Sequence, residues 1–171
     1  MNYPFLQPIV LLIKFILRQR GLNETFTGGV SSYLVLNMVW AYFLYNLTEN
    51  KGNLEEVKTR FNLGTFLKGF LQFYGQEFNY RDLGISIYKG VSFFSKWQRG
   101  FANNENLCFE NFQEREKDIA RGAYQFPMVV KMFREILYKL QSAKIPTNHS
   151  YLSLFVTTTT ELKKRERLLQ S

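Results

Sequence analysis

Two apolar helices joined by a glycine-rich link constrain this chain more than any other feature. Residues 10–45 read VLLIKFILRQRGLNETFTGGVSSYLVLNMVWAYFLY. In the first helix Lys14 and Arg18 stand one turn apart on one face. Gly21, Asn23, Thr27, Gly28 and Gly29 make the link turn-rich, and Ser31-Ser32-Tyr33 opens the second helix. Side chains at i and i+4 are neighbours, so the two cations are placed to grip one polyphosphate together. A helix start opened by glycines and serines offers free backbone N–H groups and hydroxyls, that of Ser32 among them, to an anion. Tyr33 adds a flat ring on which a base can stack. Clamp, helix-end donors and aromatic shelf together point to a nucleotide site. The same residue types also suit a solvated helix face with a simple serine cap.

The chain has 171 residues, enough for one domain with a real core. Hydrophobic residues at 46% and aromatics at 17% exclude a disordered chain. A net charge of +8 favours polyanions such as RNA, although the basic residues are spread over the whole length. With one cysteine, Cys108, no internal disulfide framework forms, and a reducing compartment fits. Neither CxxC nor HExxH spacing occurs, and the lone histidine, His149, sits in a polar stretch that reads as an exposed loop. Phe5 to Leu17 is short and interrupted by Lys14, while Val30 to Leu47 carries Ser31, Ser32 and two asparagines. Spanning a bilayer takes ~20 mostly apolar residues, so both read as core helices and no membrane partner is expected. The N-terminus lacks the features of a signal peptide, so an intracellular location is expected and the three Asn-x-Ser/Thr matches carry no meaning.

The pattern predicts a mainly α fold with a small β-hairpin. Helices are expected over residues 8–20, 31–48, 53–60, 63–75, 123–142 and 150–169. Leu83, Ile85 and Ile87 alternate with Gly84, Ser86 and Tyr88, a strand signal, and Gly90 then turns the chain toward Val91, Phe93 and Phe94. Phe93, Phe94 and Trp97 suit either a docking surface or the core.

Three ordered blocks carry a resemblance. LLIKFILRQRGLNETFTGGVSSY, NLGTFLKGFLQFYGQEFNYRDLGISI and LCFENFQEREKDIARGAYQFPMVVKMF resemble the central domain of noncanonical poly(A) polymerases of the nuclear RNA-surveillance (TRAMP) type. These belong to the polymerase-β-like nucleotidyltransferases. The likeness spans about residues 5–156 and implies a single helical nucleotide-recognition domain over 1–171, with a PAP-associated region at about 62–122. It implies that Lys14, Arg18 and Ser32 bind phosphate, that Tyr33 stacks a base, and that a loop from Glu110 to Arg121 reads the base edge. Aligned without gaps, that loop places Asn111, Glu114 and Lys117 toward the base. Where the family has Asp-Pro, this chain has Asn111-Phe112, losing a charged acceptor and a fixed φ. An exposed charged loop remains the alternative.

The resemblance also implies what is missing. Nucleotidyl transfer in this superfamily uses two metal ions held by three carboxylates of a catalytic palm lying upstream of the segment matched here. The only aspartates, Asp82 and Asp118, stand in unrelated contexts, so no residue is assigned as catalytic or as a metal ligand. ATP is the expected nucleotide, with Mg or Mn supplied only together with a catalytic domain. RNA is the expected partner, with a zinc-knuckle RNA-binding protein and a helicase, in the nucleus or nucleolus. Whether the chain is an enzyme is left open: it reads as the central part of a template-independent poly(A) polymerase. The alternatives are a non-catalytic interaction scaffold derived from that family, or a helical adaptor unrelated to nucleotides.

Overall fold

A computed structural model describes residues 6–49, 62–101, 105–112, 114 and 117–142. The helices expected over 53–60 and 150–169, and His149, lie outside these residues. Helix α1 (Gln7–Gln19) opens with a proline in its first turn, where no backbone N–H is needed. It buries Ile9, Ile13, Ile16 and Leu17, the spacing of one helical face. Gly21, at φ +66°, lets the chain leave the helix, and a single 3₁₀ turn, Thr25–Thr27, follows.

Helix α2 (Ser32–Glu49) is buried around most of its circumference, with Leu34, Val35, Met38, Val39, Tyr42 and Phe43 inside. Its buried amide, Asn37, donates to the Tyr33 carbonyl at 2.8 Å, and the buried hydroxyl of Tyr74 donates to the Met38 carbonyl at 2.9 Å. Helix α3 (Leu63–Gln72) is capped by Asn62, whose side chain accepts from the Thr65 N–H at 2.9 Å. The helix expected over 63–75 changes pitch at Phe73–Glu77, which form a π turn closed by Phe78 N–H on the Phe73 carbonyl. Phe73, Tyr74 and Gly75 are consecutive and all buried. Three neighbours cannot share one face of a regular α-helix, and the wider turn brings them inward together.

Strands β1 (Leu83–Ser86) and β2 (Ser92–Ser95) form the expected hairpin, with Leu83 opposite Ser95 and Ser86 opposite Ser92. A third strand, β3 (Cys108–Phe109), pairs parallel to β1, so the hairpin is part of a three-stranded sheet of order β2-β1-β3. Two residues are too few to show an alternating pattern, which is why sequence did not reveal it. Helix α4 (Phe126–Ser142) starts three residues later than expected, because residues 120–125 turn to dock elsewhere. Its buried face, including Phe126, Val129, Phe133 and Ile136, packs on α3 and the π turn, with Phe133 edge-on to Phe70 at 5.6 Å. Among the described residues, one core runs through the four helices and the sheet. Among the described residues, no helix is long and apolar enough to cross a membrane.

Candidate nucleotide site

The link between α1 and α2 is pinned at both ends. Leu22 N–H donates to the Leu17 carbonyl at 2.9 Å, and Val30 N–H donates back to the Leu22 carbonyl at 2.8 Å. Two glycines make this closure possible. Gly28 sits at φ +84°, and a Cβ on Gly29 would lie 2.5 Å from the Leu22 carbonyl oxygen. The result sets the start of α2 beside the end of α1. There Ser31 is the cap, its Oγ accepting from the Leu34 N–H at 3.0 Å. Ser32 is the first helical residue and is exposed, so its hydroxyl is not spent on capping. Lys14 is half-buried and Arg18 exposed on the flank of α1, and neither has a carboxylate partner among the described residues.

Tyr33 is 53% exposed and lines an apolar cavity of about 350 Å³ with Leu6, Val10, Leu36 and Trp40. Its ring therefore stands on a surface and is not spent in the core.

The loop from Glu110 to Arg121 is held in a defined shape. Asn111 N–H donates to the Lys117 carbonyl at 2.8 Å, and Ile119 N–H to the Phe109 carbonyl at 2.9 Å. Asp118 Oδ1 accepts from the N–H groups of Phe109 and Ala120, at 2.9 and 2.8 Å. At the tip Lys117 Nζ pairs with Glu114 Oε2 at 2.5 Å, both largely exposed. Asn111 is half-buried at the base of the loop. An exposed acceptor beside an exposed donor suits the polar edge of a base.

Sequence reasoning missed the groups that support this loop. Lys96, on the turn after β2, is fully buried and donates to the Asn106 carbonyl at 2.5 Å. Burial pushes its ammonium pKa down, against the opposing pull of Cys108 and Asp118. Burial raises the Asp118 carboxyl, with its two backbone hydrogen bonds and Lys96 acting the other way. Burial, chiefly, drives the Cys108 thiol up to about 12, so it is an inert core group and no nucleophile. Glu110, 2% exposed, accepts from Arg99 at 2.9 Å, and the Arg99 guanidinium lies 3.9 Å over the Phe94 ring. A lysine, an arginine and an aspartate dispersed over 23 positions give no local pattern to read.

The link also meets the turn that leads into α4. Gln125 N–H donates to the Gly28 carbonyl at 2.9 Å, and the Tyr124 ring lies against Gly28 so closely that a Cβ there would be 2.3 Å from it. The link that opens α2 is thus tied to the turn that follows the 110–121 loop. Asp82 accepts from Asn79 at 2.7 Å and Asp118 ties the loop, so both aspartates have structural partners. Among the described residues no three His, Cys, Asp or Glu side chains group to hold a metal. These donors do not fit a two-metal centre.

The family described as Cid1 family poly A polymerase matches residues 62–116. Poly(A) RNA polymerase CID14 of Cryptococcus neoformans is 37% identical over 123 residues, covering 71% of this chain and 16% of that protein. The inactive non-canonical poly(A) RNA polymerase protein Trf4-2 of Drosophila melanogaster is 30% identical over 145 residues, covering 81% of this chain and 35% of that protein. The polymerase core of TRAMP, an RNA surveillance complex, superposes with a TM-score of 0.77 over 92% of this chain and 52% of that one. At 24% identity, that likeness establishes the fold. The chain spans about a sixth of CID14 and about half of the solved core.

Proposed function

We propose that this chain, which carries the central region of a noncanonical poly(A) polymerase, is the nucleotide- and RNA-binding part of a template-independent polymerase that adenylates RNA 3′ ends. The bond from Gln125 to Gly28 supports this reading, because it ties the link that leads into α2 to the turn that follows the 110–121 loop. In the proposed complex Lys14, Arg18 and the exposed Ser32 hydroxyl hold the triphosphate, assisted by the N–H groups at the start of α2. Tyr33 stacks the base, and Asn111, Glu114 and Lys117 contact its edge. ATP is the proposed nucleotide. The transfer step needs carboxylates that the described residues do not bring together, so Mg or Mn belongs with a palm in a longer protein or a partner. RNA, a zinc-knuckle RNA-binding protein and a helicase are the proposed partners, in the nucleus.

Binding by the chain alone is expected to be weak, on the order of millimolar, because the described residues hold no metal ion to neutralise the triphosphate. Titration calorimetry with ATP tests it. Lys14→Ala should abolish measurable binding, and Tyr33→Ala should weaken it more than Tyr33→Phe, which keeps the ring. Equal affinity of all four proteins would favour the second reading, an interaction scaffold without catalysis. That reading draws on the structural roles of both aspartates and on the likeness to Trf4-2, a relative described as inactive.

A further inference from the structure

Pro127, Val130, Lys131 and Arg134 occupy one stripe of α4, at spacings of three and four residues. Opposite them, the end of the π turn supplies Glu77 and the segment after it Arg81, and a polar groove of about 480 Å³ lies between the two walls. We propose that this groove binds the phosphate backbone of single-stranded RNA, as a second anion site separate from the triphosphate site. The choice of RNA as the polyanion rests on the function proposed above.

The charge and its fixation carry the proposal. Lys131 and Arg134 are exposed neighbours on the helix, and among the described residues neither has a carboxylate within ion-pair distance. The Arg134 Nε–H donates to the Gly75 carbonyl, which aims the guanidinium from a fixed point and leaves its terminal amino groups for a phosphate. The carbonyl that does this belongs to the π turn, so the departure from α-helical pitch has a role in the groove. On the facing wall Arg81 shares its charge with Glu105 at 3.4 Å, a pair that solvent screens because both are mostly exposed. Glu77, the lining carboxylate among the described residues, already accepts from Gln72 Nε2 at 2.6 Å. The aromatic residues here are buried, Tyr80 edge-on to Phe126 at 5.2 Å, so they provide no stacking shelf. Recognition is therefore of phosphate, without base preference. Pro127, at the near end, follows by two residues the Gln125 that bonds Gly28. RNA lying in the groove would run toward the contact between Gln125 and the link.

Fluorescence polarisation of a labelled oligoadenylate against the full chain tests this. Lys131→Glu and Arg81→Glu, one on each wall, should each weaken binding about tenfold and reduce the slope of log K on log salt by about 1 or more. Lys139→Glu makes the same charge change on the exposed end of α4 outside the groove, and should stay within about twofold of the parent. Equal losses in all three variants, no loss in the groove variants, or no RNA binding by the parent chain would overturn the proposal. ATP titration separates it from the reading it rests on. Loss of RNA binding in Lys131→Glu with no ATP binding by any protein would sink the nucleotide site and leave the groove standing. Loss of ATP binding in Lys14→Ala with normal RNA binding by Lys131→Glu would do the reverse.

Discussion

The backbone N–H of Gln125 donates to the carbonyl of Gly28 at 2.9 Å, across 97 positions of sequence, and the Tyr124 ring covers the same glycine. This contact holds the turn before α4 against the link that leads into α2. At φ +84° Gly28 occupies backbone space that a side chain disfavours, and any Cβ would strike the ring. Gly28→Ala is therefore expected to cost about 1–3 kcal/mol in urea unfolding. It should also speed hydrogen exchange at the Gln125 amide well beyond that at the core of α2. A cost under about 0.5 kcal/mol with unchanged exchange would show that the junction is not structural.

The two serines at the start of α2 have separable roles. Ser31→Ala removes the cap on the Leu34 N–H and should cost about 1 kcal/mol of stability. Ser32→Ala removes no intramolecular cap, so stability should stay within about 0.5 kcal/mol while ATP affinity falls. Thermal unfolding and calorimetry on the pair check this. A reversed pattern would move the phosphate role to Ser31.

Arg99 and Glu110 anchor the start of the 110–121 loop. Arg99→Ala strips a charge-assisted hydrogen bond from a carboxylate that is 2% exposed, and should cost about 1.5–3 kcal/mol. Glu110→Gln, which keeps shape and removes the buried charge, should cost less. Urea unfolding of both variants decides it, and a larger loss in Glu110→Gln would contradict the assignment.

Much of this architecture is legible in the sequence, and the losses have physical causes. Ile9, Ile13, Ile16 and Leu17 repeat with the period of a helix, and Leu83, Ile85 and Ile87 with that of a strand, so α1 and β1 are readable. The π turn at Phe73–Glu77 is not, because its cause is the burial of three adjacent residues against α4, a tertiary fact. β3 is too short to carry a period. The spacing of Lys14 and Arg18 makes them candidates from sequence, whereas Lys96 looks like any surface lysine until the fold buries it. Phe93, Phe94 and Trp97 divide in the same way. Phe94 is buried against Gly84, Phe93 is partly exposed, and Trp97 is 86% exposed.

Half-buried Asp118, within the field of buried Lys96, makes a pH prediction. Burial raises the Asp118 carboxyl above its ordinary 3.8, so the folded state holds that proton more tightly than the unfolded chain does. Stability contributed by this group is present below pH 3.8 and is lost as pH rises through the raised value. Asp118→Asn cannot titrate, so its stability relative to the parent should increase across that window and then level off. Lys96→Met removes a charge that lowers both Asp118 and Cys108, so both should titrate higher still. Carbon-detected NMR titration of Asp118 checks the direction. A lower Asp118 value in Lys96→Met would refute the electrostatic assignment.

A backbone amide NMR titration of the full chain with ATP reads the central claim residue by residue. If the chain is a nucleotide-recognition module, shifts should concentrate at Lys14, Arg18, the amides of residues 30–34, and the loop at Asn111 and Lys117. They should saturate together, on the order of millimolar ATP. Saturable shifts confined to other surfaces, or none in the link and the loop at that concentration, would contradict it.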